Sequence, residues 1–321
     1  MKTPALVAAI VACATLLAGC SESGGSGGTT GSLMLAIGDA PVDGATEVVI
    51  VFRAVELHHA GSTRRIEFDE PRAIDLLAYQ NGATVNLLDG VEVDAGSYQW
   101  MRLDVLAEQN LGDGSFIKFA SGEQFPLFIP SGSQSGLKIN RPFTVAAGGI
   151  TRLVADFDLR KSIIEPPGLE PNYVLKPVLR LLDELEAGDI DGDVDLAALA
   201  TAQLGDGASP GDCSGGVYLF LGHDATPDDA DGSADDGADP VVYLPLEFDG
   251  VNSVAHYHIA FVEAGDYSVA ATCNFDVDAS PEVSEYDPSA TSGQPVFETM
   301  AWTANGSVVV AADGTTSVNL P

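Results

Sequence analysis

The stretch Glu47-Val-Val-Ile-Val-Phe-Arg-Ala-Val-Glu-Leu57 decides the fold class of this chain. Its apolar residues alternate, with Val48, Ile50 and Phe52 on one face, and apolar residues also fill much of the opposite face. Alternation with many β-branched residues is typical of a strand. We therefore predict a central strand that is packed on both sides at one end.

The same pattern continues on both sides of this stretch, in short runs separated by Gly and Pro turns. A series of short strands with such turns predicts an all-β protein built from β-sandwiches or barrels. In the first half of the chain the predicted strands are Ser32–Ile37, Tyr98–Leu106, Phe116–Phe119, Phe125–Ile129, Leu137–Ile139, Thr151–Leu159 and Tyr173–Leu181, with a helical turn or a further strand at Ile74–Tyr79. In the second half they are Ile190–Leu196, Val217–Leu221, Val241–Leu246, Ala255–Phe261, Tyr267–Ala271, Val296–Trp302, Gly306–Val310 and Thr315–Leu320, with a helical turn at Ala197–Leu204.

Charge divides the chain into two parts. The net charge is −33, and the last basic residue is Arg180. Up to Arg180 there are 20 acidic and 14 basic residues, whereas from Leu181 onward there are 27 acidic residues and no Lys or Arg. Such a step predicts a domain boundary, and we expect two β-sandwich domains at 32–184 and 188–321. A surface this acidic argues against nucleic acid as a partner, and a saline habitat would explain it without a specific function.

Two short patterns occur in both halves and in the same order. Asp94-Ala-Gly-Ser-Tyr98 has a counterpart in Glu263-Ala-Gly-Asp-Tyr267. Val145-Ala-Ala-Gly-Gly-Ile-Thr151 has a counterpart in Val310-Ala-Ala-Asp-Gly-Thr-Thr316. In each, Gly allows a tight turn and an aromatic or β-branched residue starts the next strand. We expect both halves to be variants of one sandwich plan.

The N-terminus has the layout of a secretory signal peptide. Lys2 is followed by an apolar run from Ala5 to Leu17, which is too short for a membrane span. The sequence Leu17-Ala-Gly-Cys20 resembles a bacterial lipobox. This resemblance implies removal of residues 1–19, lipid on Cys20 and attachment to a membrane. Residues 20–31 are then a Gly/Ser-rich tether, and Ser21, rather than Asp, favours the outer membrane of a bacterial cell envelope.

Two cysteines remain in the body of the mature chain. Cys213 and Cys273 would be in an oxidising compartment after export, where two cysteines most often form a disulfide. Two buried free thiols are the alternative. Their surroundings in the sequence do not suggest a zinc site, which needs further Cys or His nearby.

The first half resembles a known family. The matching stretches include Leu35–Pro41, Ala95–Tyr98, Pro130–Ile139, Asp156–Ser162 and Tyr173–Leu181. They are similar to the bacterial lipoprotein family catalogued as domain of unknown function 4382, over about residues 32–183. The resemblance implies a β fold and an envelope location but no activity. The second half is similar, more weakly, to transthyretin-like (prealbumin-like) or carboxypeptidase-regulatory-like sandwiches, through Gly188–Val194 and Ala264–Tyr267.

One group of charged residues is a candidate polar patch. Asp156, Asp158 and Arg160 alternate along a predicted strand and would share a face. We expect Lys138 and Lys176 on neighbouring strands, where they would complete an ion-pair cluster. This patch would either bind a polar ligand or be a salt-bridge network at a strand end, and we prefer the network.

An acidic loop at 224–239 is the better metal candidate. Hard oxygen ligands on a flexible loop suit Ca²⁺, although a solvated acidic loop explains the same residues. The residues concerned are Asp228, Asp229, Asp231, Asp235, Asp236 and Asp239. The alternating run Asp189-Ile-Asp-Gly-Asp-Val-Asp195 does not fit a calcium-binding EF-hand loop, and we predict a strand there instead.

His256 and His258 are two apart on a predicted strand and so share one face. A metal site made from them would need a third ligand that the sequence does not identify. A polar sandwich face is the simpler interpretation. The chain shows no nucleotide-binding loop, no H-E-x-x-H, no CxxC and no catalytic triad in its sequence.

These features favour a non-catalytic, lipid-anchored envelope protein that binds a protein, a glycan or another envelope component. One alternative is a Ca²⁺-binding module that uses the acidic loop. Another is an envelope glycan hydrolase with paired carboxylates, although no spacing in the sequence selects them. Apart from the optional Ca²⁺, we expect no cofactor.

Overall fold

A computed structural model of the chain describes residues 29–40, 45–109, 112–130, 136–164, 173–176, 178–228, 238–273, 275 and 306–321. The fold of these residues is all-β, as predicted. In the first half the strands are β1 (Thr30–Ala40), β2 (Ala45–His59), β3 (Ser62–Asp75), β4 (Val85–Asp94), β5 (Gly96–Val105), β6 (Phe116–Phe119), β7 (Gln124–Phe128), β8 (Leu137–Ile139), β9 (Phe143–Val145), β10 (Ile150–Asp158), β11 (Ile163–Ile164), β12 (Tyr173–Leu175) and β13 (Leu179–Asp183). In the second half they are β14 (Ala187–Asp195), β15 (Gly216–Leu221), β16 (Val242–Pro245), β17 (Val254–Glu263), β18 (Gly265–Thr272), β19 (Gly306–Val310) and β20 (Thr315–Ser317). The helices are α1 (Leu159–Ser162) and α2 (Leu196–Leu204), with 3₁₀ turns at Leu76–Ala78 and Pro210–Asp212.

Two sheets pack together in the first half of the chain. One has the strand order β13-β10-β1-β4, and the other has the order β11-β12-β7-β6-β2-β5-β8, with β3 paired to β2 and β9 paired to β5. Buried residues of both sheets form one apolar cluster that extends from Leu33 to Leu181. We call these two sheets and their core the N-terminal unit.

Strand β2, which contains the Glu47–Leu57 stretch, is central to the larger sheet. β3 pairs along one side of β2, while β6 and then β5 share its other side. Val48 and Ile50 are fully buried on one face, and Val49 and Val51 are only 9% and 5% exposed on the other. The prediction of a strand packed on both sides at one end is confirmed.

The second half also has two sheets around one core. Their strand orders are β17-β14-β20 and β16-β15-β18-β19 in the described residues. Together with α2 they enclose a separate apolar cluster, which extends from Ile190 to Leu320. A disulfide joins Cys213, which follows α2 and the second 3₁₀ turn, to Cys273 at the end of β18. We call this the C-terminal unit.

The two units share one pairing scheme, as the repeated patterns predict. In the N-terminal unit β1 lies between parallel β10 and antiparallel β4. In the C-terminal unit β14 lies between parallel β20 and antiparallel β17. In both, the chain then crosses to the other sheet, where β5 pairs with β9 and β18 pairs with β19.

The match extends to single residues at the corner between the sheets. The Tyr98 hydroxyl donates to the Asp94 carbonyl at 2.8 Å, and the Tyr267 hydroxyl donates to the Glu263 carbonyl at 2.9 Å. Both rings are buried, so each hydroxyl ties a turn to the core. The repeated Ala-Gly-x-Tyr sequences therefore build the same corner twice.

A glycine is needed at one equivalent place in each unit. A Cβ on Gly31 would lie 2.2 Å from the Ala146 carbonyl oxygen, and a Cβ on Gly188 would lie 2.2 Å from the Ala311 carbonyl oxygen. Real Cβ atoms do not approach backbone oxygen so closely. The second repeated pattern, at residues 145–151 and 310–316, therefore packs its turn against the first strand of its own unit.

Some predictions differ from the structure. The strand predicted at Thr151–Leu159 ends at Asp158, whose carboxylate accepts a hydrogen bond from the Lys161 amide and caps α1. Arg160 therefore lies in a helix, and its expected position on a strand face with Asp156 is wrong. The run predicted as Tyr173–Leu181 forms two strands, and β3, β4, β9 and β11 were not predicted. Cys20, the signal peptide, most of the tether and the predicted strand Val296–Trp302 lie outside the described residues.

Candidate binding site at the junction of the two units

Polar contacts join the two units. Arg141, which follows β8, forms an ion pair with Glu263 at the end of β17, and both side chains are half exposed. The ammonium group of Lys161 in α1 lies 5.2 Å from the ring centre of Tyr243 in β16. Exposed ion pairs of this kind contribute under about 1 kcal/mol each, so these contacts orient the units more than they stabilise them.

Among the described residues, two wide clefts and a narrow one lie along this junction. The larger has a volume of about 370 Å³ and is lined by Arg141, Asp183, Glu186 and Glu263 together with apolar atoms. The smaller, of about 200 Å³, is lined by residues of β10, α1, β13 and β16. The larger cleft falls within the size range of sites for small molecules, and its wall combines both charges with apolar surface.

Asp156 and Arg180 stand side by side between the smaller cleft and a narrow neighbouring one. The two residues are opposite each other on the antiparallel strands β10 and β13, and their side chains form an ion pair. The Asp156 side chain is 13% exposed. Burial raises the pKa of this carboxyl, although the Arg180 guanidinium acts in the opposite direction. A largely dehydrated carboxylate in a cleft is a frequent feature of binding sites.

Asp158 and Lys161 occupy the other side of the smaller cleft. The Asp158 carboxylate caps α1, and its second oxygen lies 3.7 Å from the Lys161 ammonium. Asp158 is therefore held by its own helix, while Lys161 reaches to Tyr243. The cluster that the sequence predicted in part therefore consists of Asp156, Asp158, Lys161 and Arg180. Its cations are Arg180 and Lys161, which the sequence did not single out.

Lys138 does not belong to this cluster. Lys138 lies on β8 in the other sheet, with its ammonium 4.6 Å from the ring centre of Trp100. Lys176 is exposed after β12, and its backbone amide donates to the Ser162 carbonyl of α1 at 2.7 Å. The prediction that Lys138 joins this patch is therefore wrong, because sequence alternation does not show which strands are neighbours.

The outer face of the larger sheet carries a separate ion-pair network. Glu56 accepts hydrogen bonds from Arg65 and Arg102, and Asp104 pairs with Arg53 and Arg65. The hydrogen bond to Asp104 is the largest influence raising the pKa of Arg65. Both carboxylates are nearly buried, so this network fixes the register of β2, β3 and β5.

The acidic loop is anchored at both ends. The Ala225 amide donates to the Ser268 hydroxyl at 3.2 Å, and the Ala238 amide donates to the Thr226 carbonyl at 3.0 Å. Asp228 is fully buried. Of the remaining predicted calcium ligands, Asp239 is exposed, and Asp229, Asp231, Asp235 and Asp236 lie outside the described residues.

His256 and His258 share one outer face of the C-terminal unit, as predicted. Asp191 and Asp193 lie opposite them on β14. The sequence alone does not connect the two pairs, because they are more than 60 residues apart. In the described part of the chain, no group of three or more His, Cys, Asp and Glu side chains has the spacing that would hold a metal ion as it stands.

Comparison with solved structures gives only distant likenesses. The Bacillus anthracis TIE protein is 8% identical with a TM-score of 0.18; the match covers 91% of this chain and 34% of that one, so the chain spans about a third of its length. A family CBM26 module of Eubacterium rectale Amy13K, solved with maltoheptaose, is 10% identical with a TM-score of 0.21, covering 90% and 91%. The major pilin of Streptococcus pyogenes is 9% identical with a TM-score of 0.17, covering 90% and 97%. Scores this low do not define a shared fold.

No curated protein matches the sequence. Residues 30–177 match the family model described as "Domain of unknown function (DUF4382)". This span begins at the first residue of β1 and ends just before β13, so it covers most of the N-terminal unit. The chain therefore carries a DUF4382 domain at residues 30–177, followed by a second unit built on the same pairing scheme.

Proposed function

We propose that this protein is a non-catalytic binding module held at the bacterial cell envelope, in the outer membrane, by lipid on Cys20. The single observation that carries the binding role is the junction, where two like-built units enclose a cleft of about 370 Å³. The Arg141–Glu263 and Asp156–Arg180 pairs neutralise their own charges there. Groups paired in this way suit recognition better than proton transfer or nucleophilic attack.

The partner we propose is an envelope glycan or an envelope protein. The larger cleft offers carboxylates, a guanidinium and apolar atoms, which together suit hydroxyl and amide groups beside an apolar face. The C-terminal unit would act as an accessory, transthyretin-like sandwich that closes one side of the cleft.

Binding is tested by capture from envelope extracts on the immobilised mature protein. We expect a partner that is retained by the unmodified chain and lost with Arg141→Ala, which removes the guanidinium that lines the cleft. Lys118→Ala is the matched control, because Lys118 pairs with Glu47 within the N-terminal unit. If both variants retain the same proteins as the unmodified chain, the proposed cleft is not the binding site.

Anchoring is tested separately by metabolic labelling with a fatty-acid probe and membrane fractionation. We expect label on the unmodified chain and none on Cys20→Ser, which should leave the membrane fraction. Ser21→Ala should stay labelled. Equal labelling of Cys20→Ser and the unmodified chain would show that Cys20 is not the anchor.

A Ca²⁺-dependent module is the second candidate. The observation that favours it is Asp228, a fully buried carboxylate in a loop rich in further aspartates. An ion that binds the folded state raises the melting temperature, and the increase grows with the ion concentration relative to its Kd. We expect Ca²⁺ to raise the melting temperature and Asp228→Asn to abolish the increase, whereas an unchanged melting temperature would contradict this candidate.

A further inference from the structure

Four polar side chains share the outer face of strands β14 and β17. Asp191 is directly opposite His258, and Asp193 is directly opposite His256. The residues between them, Gly192 and Tyr257, face the core. The two aspartates and two histidines are therefore brought together by strand register, which the sequence alone does not reveal.

The distances place three donor atoms close together. The Asp191 Oδ1 atom lies 2.5 Å from His258 Nδ1 and 3.9 Å from His256 Nε2. The other nitrogen of the His256 ring, Nδ1, lies 3.1 Å from Asp193 Oδ1. Asp191 thus stands between the two rings, where a two-histidine site would need its third ligand.

These distances bracket the spacing of a metal site. Zinc bonds to nitrogen and oxygen of about 2.0–2.2 Å leave neighbouring ligand atoms roughly 3–3.5 Å apart. The 2.5 Å contact must lengthen, and the 3.9 Å gap must shorten. His256 can make this movement because its side chain is 66% exposed.

Asp193 differs from Asp191 because it contacts the other nitrogen of the His256 ring. A histidine that binds a metal almost always donates its other ring N–H to a carboxylate or carbonyl, which fixes the tautomer and the ring orientation. With its proton on Nδ1 and directed at Asp193, the His256 ring presents the Nε2 lone pair toward Asp191. In a metal site at this place, Asp193 would position His256 and would not be a ligand.

We propose that Asp191, His256 and His258 bind a divalent transition-metal ion of the zinc class, with Asp193 positioning His256. Two imidazoles and one carboxylate suit Zn²⁺, Co²⁺ or Cu²⁺ better than Ca²⁺, which prefers oxygen ligands only. Three protein ligands leave at least one position for water or for an outside ligand. Its three ligands all come from the C-terminal unit, and none of them lines the larger cleft of the proposed function.

The test uses Co²⁺ as the probe, added to the untagged full chain and followed by visible absorption, with Zn²⁺ as competitor. We expect saturable Co²⁺ binding that Zn²⁺ displaces, and binding at least 10-fold weaker in His256→Ala and in Asp191→Asn. The matched control is His223→Ala. The Nε2 atom of His223 lies 3.4 Å from the Oδ1 atom of Asp266, elsewhere in the same unit. Removal of the His223 side chain should therefore leave the affinity for Co²⁺ unchanged.

A second variant separates positioning from ligation. Asp193→Asn should weaken Co²⁺ binding by about 10–100-fold while the absorption spectrum keeps its shape, because the ligands are unchanged. Circular dichroism without metal confirms that each variant is folded. Absence of saturable Co²⁺ binding, or equal affinities in the unmodified chain, His256→Ala and Asp191→Asn, would overturn the proposal.

Discussion

Gly82 lies in the turn before β4 with a φ of +81°, at a point where the N-terminal unit contacts β17. A Cβ at this position would lie 2.9 Å from the Ala260 Cβ and 3.0 Å from His258 Nε2. The residue is therefore constrained twice, by its own backbone and by the neighbouring unit.

We predict that Gly82→Ala destabilises the protein more than Gly61→Ala. Gly61 has a φ of +79°, and a Cβ added to it would meet no atom within 4 Å, so its substitution adds backbone strain alone, about 1–2 kcal/mol. Chemical denaturation gives the free energy of unfolding of each variant, and the difference between the two values measures the contact across the junction. Equal losses would mean that Gly82 does not contact β17 in solution.

Asp156 gives a prediction about pH. Its pKa in the folded protein is raised above the ordinary value of 3.8, chiefly by burial. The folded state therefore binds this proton more tightly than the unfolded state, and the stability gained is fully present below about pH 3.8 and lost as the pH rises through the raised value.

We expect the stability of the unmodified chain, relative to Asp156→Asn, to decrease as the pH rises from about 3.8 to the raised pKa. Denaturant titrations at a series of pH values give this difference. Asp266→Asn, at an exposed position, supplies the baseline. A relative stability that instead increases with pH would show that Arg180 outweighs burial.

At the scale of elements, the corners between β4 and β5 and between β17 and β18 provide a paired test. Tyr98→Phe and Tyr267→Phe each remove one hydrogen bond to a backbone carbonyl and leave the ring in place. We predict similar losses of about 1 kcal/mol in each unit, measured by denaturation. A loss in only one unit would indicate that the two corners are not equivalent in energy.

The elements also show what the sequence reveals. Strands with buried alternating residues, such as β2, β5 and β14, were predicted from pattern because burial produces the pattern. Strand β3 was missed, since nearly all of its residues are exposed and many are charged, and it contains Pro71. A strand at the edge of a sheet owes its conformation to pairing with β2, which leaves no hydrophobic signal.

The candidate sites also were predicted only where the sequence itself carries a signal. The disulfide was predicted because only Cys213 and Cys273 remain in the body of the chain. Asp156 was found from sequence, but its partner Arg180 was not, because the pairing of β10 with β13 is a matter of register. Asp191 was missed as a partner of His258 for the same reason.

At the scale of the whole molecule, charge repulsion is the dominant electrostatic feature. The chain has a net charge of −33, and residues 181–321 contain no Lys or Arg. Like charges on one compact body destabilise it, and added salt screens them within a Debye length of about 8 Å at 0.15 M.

We predict that NaCl raises the melting temperature at pH 7, by about 2–4 °C for each 1 kcal/mol of repulsion that is screened. KCl should act equally, because the effect depends on ionic strength. Near pH 4, where many carboxylates are protonated, the increase should shrink. A melting temperature that falls with NaCl at pH 7 would contradict this account.

Because both units use the same pairing scheme, that scheme cannot be the reason for their different charges. Gly31 and Gly188 allow the same close backbone approach, and Tyr98 and Tyr267 make the same hydrogen bond, in two units whose content of basic residues differs sharply. The same scaffold is thus compatible with a surface that has acidic and basic residues and with one that has no lysine or arginine. Folding therefore does not dictate the acidity of the second body, and its exterior is free to be shaped by the medium and the neighbours it meets.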